Sequence, residues 1–506
     1  MPAVTGVPLR RARAAALLAA ALLLGPVLPA HNVARAQAPA TARPARDLAA
    51  RIDSILGRSA VRRAHWGVEV RDAATGRVLY SRDADRLFVP ASNLKLVVAA
   101  AAAHHLDPGF RFRTTLSGTG PVQDGVLRGD LVLYGRGDPM LSARYFPSRT
   151  AVFEALADSL LARGVRAVAG GVVADESWFD ADYVRGDWES YDLLWWYAAP
   201  VSALGFNDNS IDFRVEPGTA AGAAARITWQ PESGFVELEN RTRTVAAGGS
   251  HTLDFERVPG TRRVRAYGQI PLGTAPATES FAVESPALYA GTVFREVLER
   301  RGVRVGQAEV RVVSDPARSP ARGAAALAEH ASPPLERAIG PVLQRSQNWF
   351  AEQLAKTLGR EVRGEGSWSA GLAVEREFLV RVVGVDSADF VLRDASGLSA
   401  GNLVTPRALV QILEYVRRTP RQAVVRRSLP VSGREGSLQT RLGDLPGRVA
   451  AKTGYIGNVD SLSGFLTTDA GREVVFAIVA NASGQPSARM KAAIDDVVRA
   501  IAAGAR

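Results

Sequence analysis

The sequence predicts an α+β fold in which both ends of the chain build one sheet-containing domain. Strand patterns occur at residues 65–83 and again at 447–481, where a closing helix follows. A β-rich block at 207–283 and a helical stretch from residue 333 onward lie between them. Strands this far apart along the chain share a sheet only if the intervening residues leave it and return. We therefore expect about five antiparallel strands with helices, interrupted by inserted domains.

The N-terminal half alternates helices and strands. Leu48, Ile52 and Leu56 recur at helical spacing, and strand-like alternation on both sides of an Ala-Ala-Thr-Gly turn indicates a hairpin. The predicted elements are helices at 47–57, 92–105 and 150–163 and strands at 65–72, 77–83, 111–116, 125–134 and 170–174.

The second half divides into a polar β-rich block, a helical stretch and a strand-rich end. The predicted strands lie at 211–215, 225–230, 236–242, 252–258, 263–270, 303–313, 447–455, 461–468 and 473–481, and the helices at 289–301, 335–343, 348–357, 369–383, 406–418 and 487–502. These patterns predict a discontinuous domain at 39–120 and 331–506, an α/β-like inserted domain at 121–206 and 284–330, and a small all-β inserted domain at 207–283.

Composition bounds the function. With 506 residues and 47% hydrophobic content, the chain can bury a sizeable core. It has no cysteine, which excludes disulfides and cysteine-based metal sites or nucleophiles. The net charge of +11 reflects either an arginine-rich composition or affinity for an anionic surface. No arginine stripe alternates with stacking aromatics, so we expect no nucleic-acid partner.

The N-terminus has the pattern of an export signal. Three arginines within residues 10–13 precede an apolar run at 14–24, and Ala-Gln-Ala at 36–38 is a small-x-small cleavage site. The apolar run is too short to span a bilayer. We expect residues 1–38 to be a signal peptide, with an uncleaved anchor as the alternative. The mature protein would then lie in the periplasm or another extracytoplasmic space, with at most peripheral membrane contact.

Ser92 and Lys95 open an alanine-rich helix and lie one turn apart on one face of it. A lysine held against an apolar helix loses its proton more easily, and a serine beside it is then an activated nucleophile. The alternative is a helix-capping serine with a lysine that reaches to solvent. Only four of the 62 cationic residues are lysines. Since arginine cannot give up its proton, this usage favours a titratable amine at position 95.

Two further motifs follow, Ser346-Gln347-Asn348 and Lys452-Thr453-Gly454. In this order the three motifs match the pattern of penicillin-binding proteins and serine β-lactamases. The chain resembles the low-molecular-mass D-Ala-D-Ala carboxypeptidases/endopeptidases, the class C, type-4 penicillin-binding proteins of peptidase family S13. The resemblance extends to residues 134–141, 394–399, 429–433 and 461–465. The 254 positions between Ser92 and Ser346 fit this group, which carries two domains inserted into a transpeptidase-like domain.

The resemblance implies an acyl-transfer site. Ser92 is then the nucleophile and Lys95 its general base, while Ser346 and Lys452 carry a proton to the leaving amine. Asn348 holds the substrate amide. Lys452 and Thr453 bind the substrate carboxylate. The backbone amides of Ser92 and Tyr455 stabilise the oxyanion, and Gly454 lies between Thr453 and Tyr455 on the same strand. The implied partners are peptidoglycan peptides ending in D-Ala-D-Ala and, as covalent inhibitors, β-lactams. No cofactor or metal is implied.

Some positions depart from the family pattern or correspond to it loosely. Tyr455 replaces a threonine whose hydroxyl would bind the substrate carboxylate. Gln347 stands where aspartate is common, and its side chain is expected to point away from the site. Asp175 and Phe179 correspond loosely to residues that contact the diaminopimelate side chain of the substrate; the alternative is a turn at the end of a strand.

Other activities fit the sequence less well. A Ser-His-Asp hydrolase is disfavoured because there is no G-x-S-x-G motif and the six histidines lie in no triad-like context. The remaining alternatives are a β-lactamase or esterase of the same fold and a non-catalytic cell-wall-binding protein. The long insertion argues against the first, and the complete set of motif residues argues against the second.

Overall fold

A computed structural model describes residues 42–258 and 261–505. The predicted signal peptide lies outside them. The helices in the described residues are α1 (Ala42–Leu56), α2 (Lys95–His105), α3 (Ala151–Ala162), α4 (Pro286–Arg300), α5 (Glu336–Gln344), α6 (Asn348–Arg363), α7 (Trp368–Glu377), α8 (Pro406–Arg418), α9 (Ala423–Arg427) and α10 (Ser487–Gly504). In the described part of the chain, no helix combines the length and apolar character required to cross a bilayer.

The strands in the described residues are β1 (His65–Asp72), β2 (Val78–Arg82), β3 (Arg113–Gly118), β4 (Val122–Gln123), β5 (Val126–Leu127), β6 (Leu131–Gly135), β7 (Ala167–Val168), β8 (Val172–Asp175), β9 (Ser210–Glu216), β10 (Arg226–Gln230), β11 (Glu237–Val245), β12 (Asp254–Arg257), β13 (Arg263–Pro271), β14 (Ala277–Ala282), β15 (Arg304–Val305), β16 (Arg311–Val313), β17 (Ala326–Ala331), β18 (Phe390–Val391), β19 (Leu403–Val404), β20 (Val449–Ile456), β21 (Val459–Thr467) and β22 (Glu473–Asn481).

The two ends of the described chain share one five-stranded sheet, in the order β2-β1-β22-β21-β20. Every neighbouring pair in it is antiparallel. The prediction of an α+β fold with an antiparallel sheet formed from both ends is therefore confirmed.

The central strand β22 is almost entirely apolar because helices cover both faces of the sheet. Val474, Phe476 and Ile478 share a buried cluster with α1 and α10. The alternate residues Val475 and Ala477 pack against α2 and α8 instead. A strand covered on one side only would have alternated apolar and polar residues.

Helix α2 passes through the core and is buried from Lys95 to Ala103. A helix that is apolar on all sides is usually buried, because it has no face for solvent. The run of alanines in α2 allows α5, α6 and α8 to approach it closely. The residue that begins α2 is therefore held by packing on every side.

The residues between the terminal strands form further sheets in the orders β16-β8-β6-β3-β17, β15-β7-β5-β4, β10-β9-β14 and β11-β13-β12. We propose the three-part domain division with one adjustment. Strand β3 pairs with β6 and β17, not with the terminal sheet. This pairing favours moving the first boundary from residue 120 to just before Arg113.

Candidate active site

Ser92 lies in a tight turn that leads directly into α2. The turn spans Ala91–Leu94, so that Lys95 is the first residue of the helix. Ala91 has a φ of +48°, a conformation that costs a non-glycine residue energy and is enriched at functional sites. Gly397 packs on this turn so closely that a Cβ there would lie 2.0 Å from the Ala91 carbonyl oxygen. The serine is thus held by its surroundings while its side chain stays half-buried.

Lys95 is fully buried, and its Nζ contacts three oxygens. It lies 2.8 Å from Ser92 Oγ, 2.6 Å from Asn348 Oδ1 and 2.6 Å from the Ser396 carbonyl oxygen. Burial lowers the pKa of Lys95 to about 7, although the charges of Asp394 and Glu352 act to raise it. A substantial fraction of the amine is therefore neutral at neutral pH, as a general base next to Ser92 must be.

A second serine–lysine pair lies beside the first. Lys452 Nζ is 2.8 Å from Ser346 Oγ and 2.7 Å from the Thr453 carbonyl oxygen. Burial lowers the pKa of Lys452 well below its usual value, and the charge of Lys95 lowers it further. Ser346 lies two residues before α6 and has a φ of +58°. Helix α6 begins at Asn348, whose Oδ1 accepts a hydrogen bond from Lys95 Nζ. The two pairs are therefore close enough to influence each other's protonation.

Strand β20 lies directly against the nucleophile turn because one of its residues is glycine. A Cβ at Gly454 would lie 2.9 Å from the Pro90 carbonyl oxygen and 2.2 Å from Ser461 Oγ. The neighbouring Thr453 turns to the other face, where its Oγ1 lies 2.7 Å from Ser437 Oγ. Tyr455 also faces outward and is 57% exposed.

The structure thus brings Ser92, Lys95, Ser346, Asn348 and Lys452 together, with Thr453, Gly454 and Tyr455 along one edge. Gln347 points away from the cluster, as expected, and its Nε2 donates to Asp208 Oδ2 at 3.0 Å. In the described residues, no group of three histidine, aspartate or glutamate side chains could hold a metal ion.

Asp175 and Phe179 are not brought to this cluster. Both side chains are buried; Asp175 ends β8 and accepts a hydrogen bond from Ser319 Oγ at 2.6 Å, while Phe179 packs under Gly137. Neither offers surface to a substrate. Their role in binding the substrate side chain stays a prediction from the resemblance, and we do not include them in the proposed site.

Residues outside the three motifs also support the site. The Glu352 carboxylate on α6 accepts from the Ser396 amide at 2.7 Å, from the Ala395 amide at 3.2 Å and from Trp368 Nε1 at 2.7 Å. It thereby holds the carbonyl that contacts Lys95. Glu352 follows Asn348 by four residues, so both lie on one helix face, and this spacing could have suggested a shared role. The loop it binds is 300 positions distant or more from Lys95, and nothing in the sequence indicates that contact.

Asp394 anchors the same loop at its start. Its carboxylate accepts from the amides of Gly397 and Ser399 at 2.8 and 2.7 Å and from Trp188 Nε1 at 3.0 Å. Burial raises the pKa values of Asp394 and Glu352, while the hydrogen bonds they accept favour the charged forms. The two carboxylates therefore set both the position of the loop and the electrostatic field at Lys95.

The aromatic segment before β9 also reaches the site. The Tyr197 carbonyl oxygen accepts from Asn348 Nδ2 at 2.7 Å. Asn348 Oδ1 accepts from Lys95, which fixes the orientation of the side-chain amide. The density of tryptophan and tyrosine in this segment is visible in the sequence, but its contact with Asn348 is not.

We expect Glu352→Gln to slow acylation of the enzyme by a β-lactam and to shift its pH dependence to lower pH. The glutamine side chain places an N–H donor where the Glu352 carboxylate only accepts hydrogen bonds. The donor left without an acceptor lowers the free energy of unfolding by roughly 2 kcal/mol. Loss of the negative charge also lowers the Lys95 pKa, because Glu352 raises it. Acylation rates from pH 5 to 9 and the Tm measure both effects.

Glu361→Gln, an exposed change on the same helix, is the matched control. An acylation profile and Tm in Glu352→Gln equal to those of Glu361→Gln would contradict the role of Glu352 in holding the loop.

The chain is similar to known proteins over most of its length. A family model described as "D-Ala-D-Ala carboxypeptidase 3 (S13) family" matches residues 48–501. A D-alanyl-D-alanine carboxypeptidase of Actinomadura sp. (strain R39) is 38% identical over 491 residues, which cover 94% of this chain and 89% of that protein. The D-alanyl-D-alanine carboxypeptidase DacB of Haemophilus influenzae is 24% identical and covers 81% of this chain and 84% of its own.

A solved structure shares the fold. The crystal structure of penicillin-binding protein 4 from Haemophilus influenzae superposes with a TM-score of 0.78 at 23% identity, covering 88% of this chain and 97% of that one. A second structure of that protein, in complex with a β-lactam, superposes with a TM-score of 0.72.

Proposed function

Because the chain belongs to the D-Ala-D-Ala carboxypeptidase family S13, we propose that it cleaves peptidoglycan stem peptides at D-Ala-D-Ala or at cross-links through an acyl-enzyme on Ser92. The observation that carries this proposal is the buried Lys95 amine, hydrogen-bonded to Ser92 Oγ at 2.8 Å with a pKa lowered to about 7. A helix-capping serine would need no such partner.

In the acylation step, Ser92 Oγ attacks the carbonyl carbon of the penultimate D-Ala and its proton passes to Lys95 Nζ. The carbonyl oxygen becomes an oxyanion, which the amides of Ser92 and Tyr455 stabilise. Asn348 Oδ1 has a second lone pair beyond the one used by Lys95, and this pair accepts the substrate's amide N–H.

When the tetrahedral intermediate collapses, the C–N bond breaks and the leaving amine needs a proton. Ser346 Oγ supplies it and is reprotonated by Lys452, which lies 2.8 Å away. The carboxylate of the leaving residue lies near Lys452 and Thr453, and its charge favours the protonated form of Lys452 despite the burial of that amine. Substrate binding therefore prepares the proton donor.

Deacylation uses water in place of the Ser92 hydroxyl. The proton that Lys95 took from Ser92 first replaces the one that Lys452 gave up through Ser346, so that Lys95 is neutral again. Neutral Lys95 then removes a proton from the water, which attacks the ester carbon, and the bond to Ser92 Oγ breaks as the proton returns to it. A β-lactam would acylate Ser92 by the same route and act as a covalent inhibitor. The predicted signal peptide supports a location outside the cytoplasm, where peptidoglycan lies.

We expect fluorescent penicillin to form one stable covalent adduct per molecule, measured by intact mass. We also expect the enzyme to release D-Ala from a pentapeptide or to cleave cross-linked dimers, and the ratio of these rates separates carboxypeptidase from endopeptidase activity. Rapid turnover of the penicillin would favour a β-lactamase of the same fold. Absence of both adduct and peptide cleavage would favour the non-catalytic alternative.

A further inference from the structure

Tyr455 follows Thr453 by two residues on β20, along the edge of the proposed site. Lys452 and Gly454 face inward along β20, so that the alternation of the strand places Thr453 and Tyr455 together on the outward face, about 7 Å apart. In the proposed reaction Thr453 meets the carboxylate of the leaving residue. A leaving group larger than D-Ala would therefore extend past the Tyr455 ring, which is 57% exposed.

Lys491 adds a positive charge at the same place. Its Nζ lies 5.0 Å from the centroid of the Tyr455 ring, a cation–π distance. The other three lysines are fully buried, whereas Lys491 is half-buried on α10. Lys356 pairs with Asp180, but Lys491 forms no ion pair with any carboxylate of the described residues. The buried Asp460 carboxyl is its acidic neighbour, since the Lys491 charge acts to lower the Asp460 pKa against the effect of burial. The Lys491 amine is half-buried, so its exposed part can meet an anionic ligand that lies over the ring.

A cross-linked stem peptide has a leaving group of this kind. Its scissile amide joins D-Ala to the side chain of a diamino acid, and behind that amine lie an aliphatic chain and the carboxylates of a second peptide. D-Ala offers only a methyl and one carboxylate, so it presents far less apolar surface and less charge to the ring and the amine. An aromatic face next to a cation matches the aliphatic chain and the negative charge of the larger leaving group.

We propose that Tyr455 and Lys491 form a subsite for the acceptor strand of cross-linked peptidoglycan and favour endopeptidase cleavage over D-Ala release. This subsite rests on the proposed function, because it needs the acyl-transfer reaction at Ser92. It also gives a role to Tyr455, which stands where the family has a threonine. The Tyr455 ring forms a binding surface in place of the threonine's hydroxyl contact.

The test is the ratio of kcat/KM for a cross-linked disaccharide-peptide dimer to kcat/KM for the monomeric pentapeptide. We expect this ratio to fall about tenfold in Tyr455→Ala and in Lys491→Met, the size of effect that a lost apolar or cation–π contact produces. Tyr455→Phe keeps the ring and should keep the ratio. Arg489→Met removes an exposed charge from the same helix and is the matched control for net charge.

An unchanged or increased ratio in both Tyr455→Ala and Lys491→Met would overturn the subsite. If Tyr455→Ala fails to fold, Lys491→Met decides alone, since Lys491 lies at the surface. Failure of the proposed function gives a different result: the wild-type enzyme then neither forms the penicillin adduct nor cleaves either peptide, and the subsite falls with it.

Discussion

Ser92→Ala is expected to abolish both the penicillin adduct and peptide cleavage, lowering kcat/KM by about 10⁴-fold or more. The substitution removes the oxygen to which the acyl group is attached in the proposed reaction. The remaining groups can still bind the substrate and stabilise charge, but they have no nucleophile to assist. Intact-mass analysis after penicillin treatment and a D-Ala release assay measure the two losses.

The fold should tolerate this change. Ser92 is half-buried, and Lys95 keeps its contacts with Asn348 and the Ser396 carbonyl. Ser159→Ala, which removes an exposed hydroxyl from α3, is the control and should retain full activity. A penicillin adduct in the Ser92→Ala protein, assigned by peptide mapping to another serine, would show that the nucleophile has been misidentified.

Lys95→Met is expected to lower the rate of acylation by about 10²- to 10⁴-fold, the usual contribution of a general base. Methionine has a similar length and suits the buried position, so the loss reports the amine more than the packing. The wild-type rate should rise with pH through about 7, because Lys95 acts as a base only when it is neutral, and it is neutral above its pKa. The methionine variant should lose this rise.

The measurement is the acylation rate from pH 5 to 9 with a chromogenic or fluorescent β-lactam. Arg489→Met removes an exposed cation from α10 outside the proposed site and should retain the pH-dependent rise, which makes it the control. A rise with the same midpoint in Lys95→Met would assign the ionisation to another group, Lys452 being the nearest amine with a lowered pKa.

The sequence was sufficient to predict that proposed site residues lie close together where the motifs are local. Ser92 and Lys95 lie one helical turn apart, and Ser346 and Asn348 flank one helix start, so their spacing nearly determines their relative positions. The resemblance then indicated that the three motifs, in this order along the chain, belong to one site. The α+β class followed similarly, because the alternation of apolar residues at each end of the chain indicates strands without knowledge of their partners.

Other features depended on contacts between distant segments. Glu352 has no recognisable role until α6 meets the loop at 394–399 and its carboxylate receives the two loop amides. The looser assignment of Asp175 and Phe179 shows the opposite case. A strand-end motif can match in sequence while packing buries both side chains. Hydrogen-bond partners and burial are properties of the assembled chain, and local pattern does not encode them.

By itself, the sequence determined which residues could carry acyl transfer and that both chain ends contribute to one α+β domain. The tertiary structure alone decided the strand order β2-β1-β22-β21-β20, the pairing of β3 with the inserted block and how far burial lowers the pKa of Lys95. The physical reason is the same for all three. Strand order and pairing depend on which apolar faces bury each other, and a pKa depends on the solvent that this burial removes.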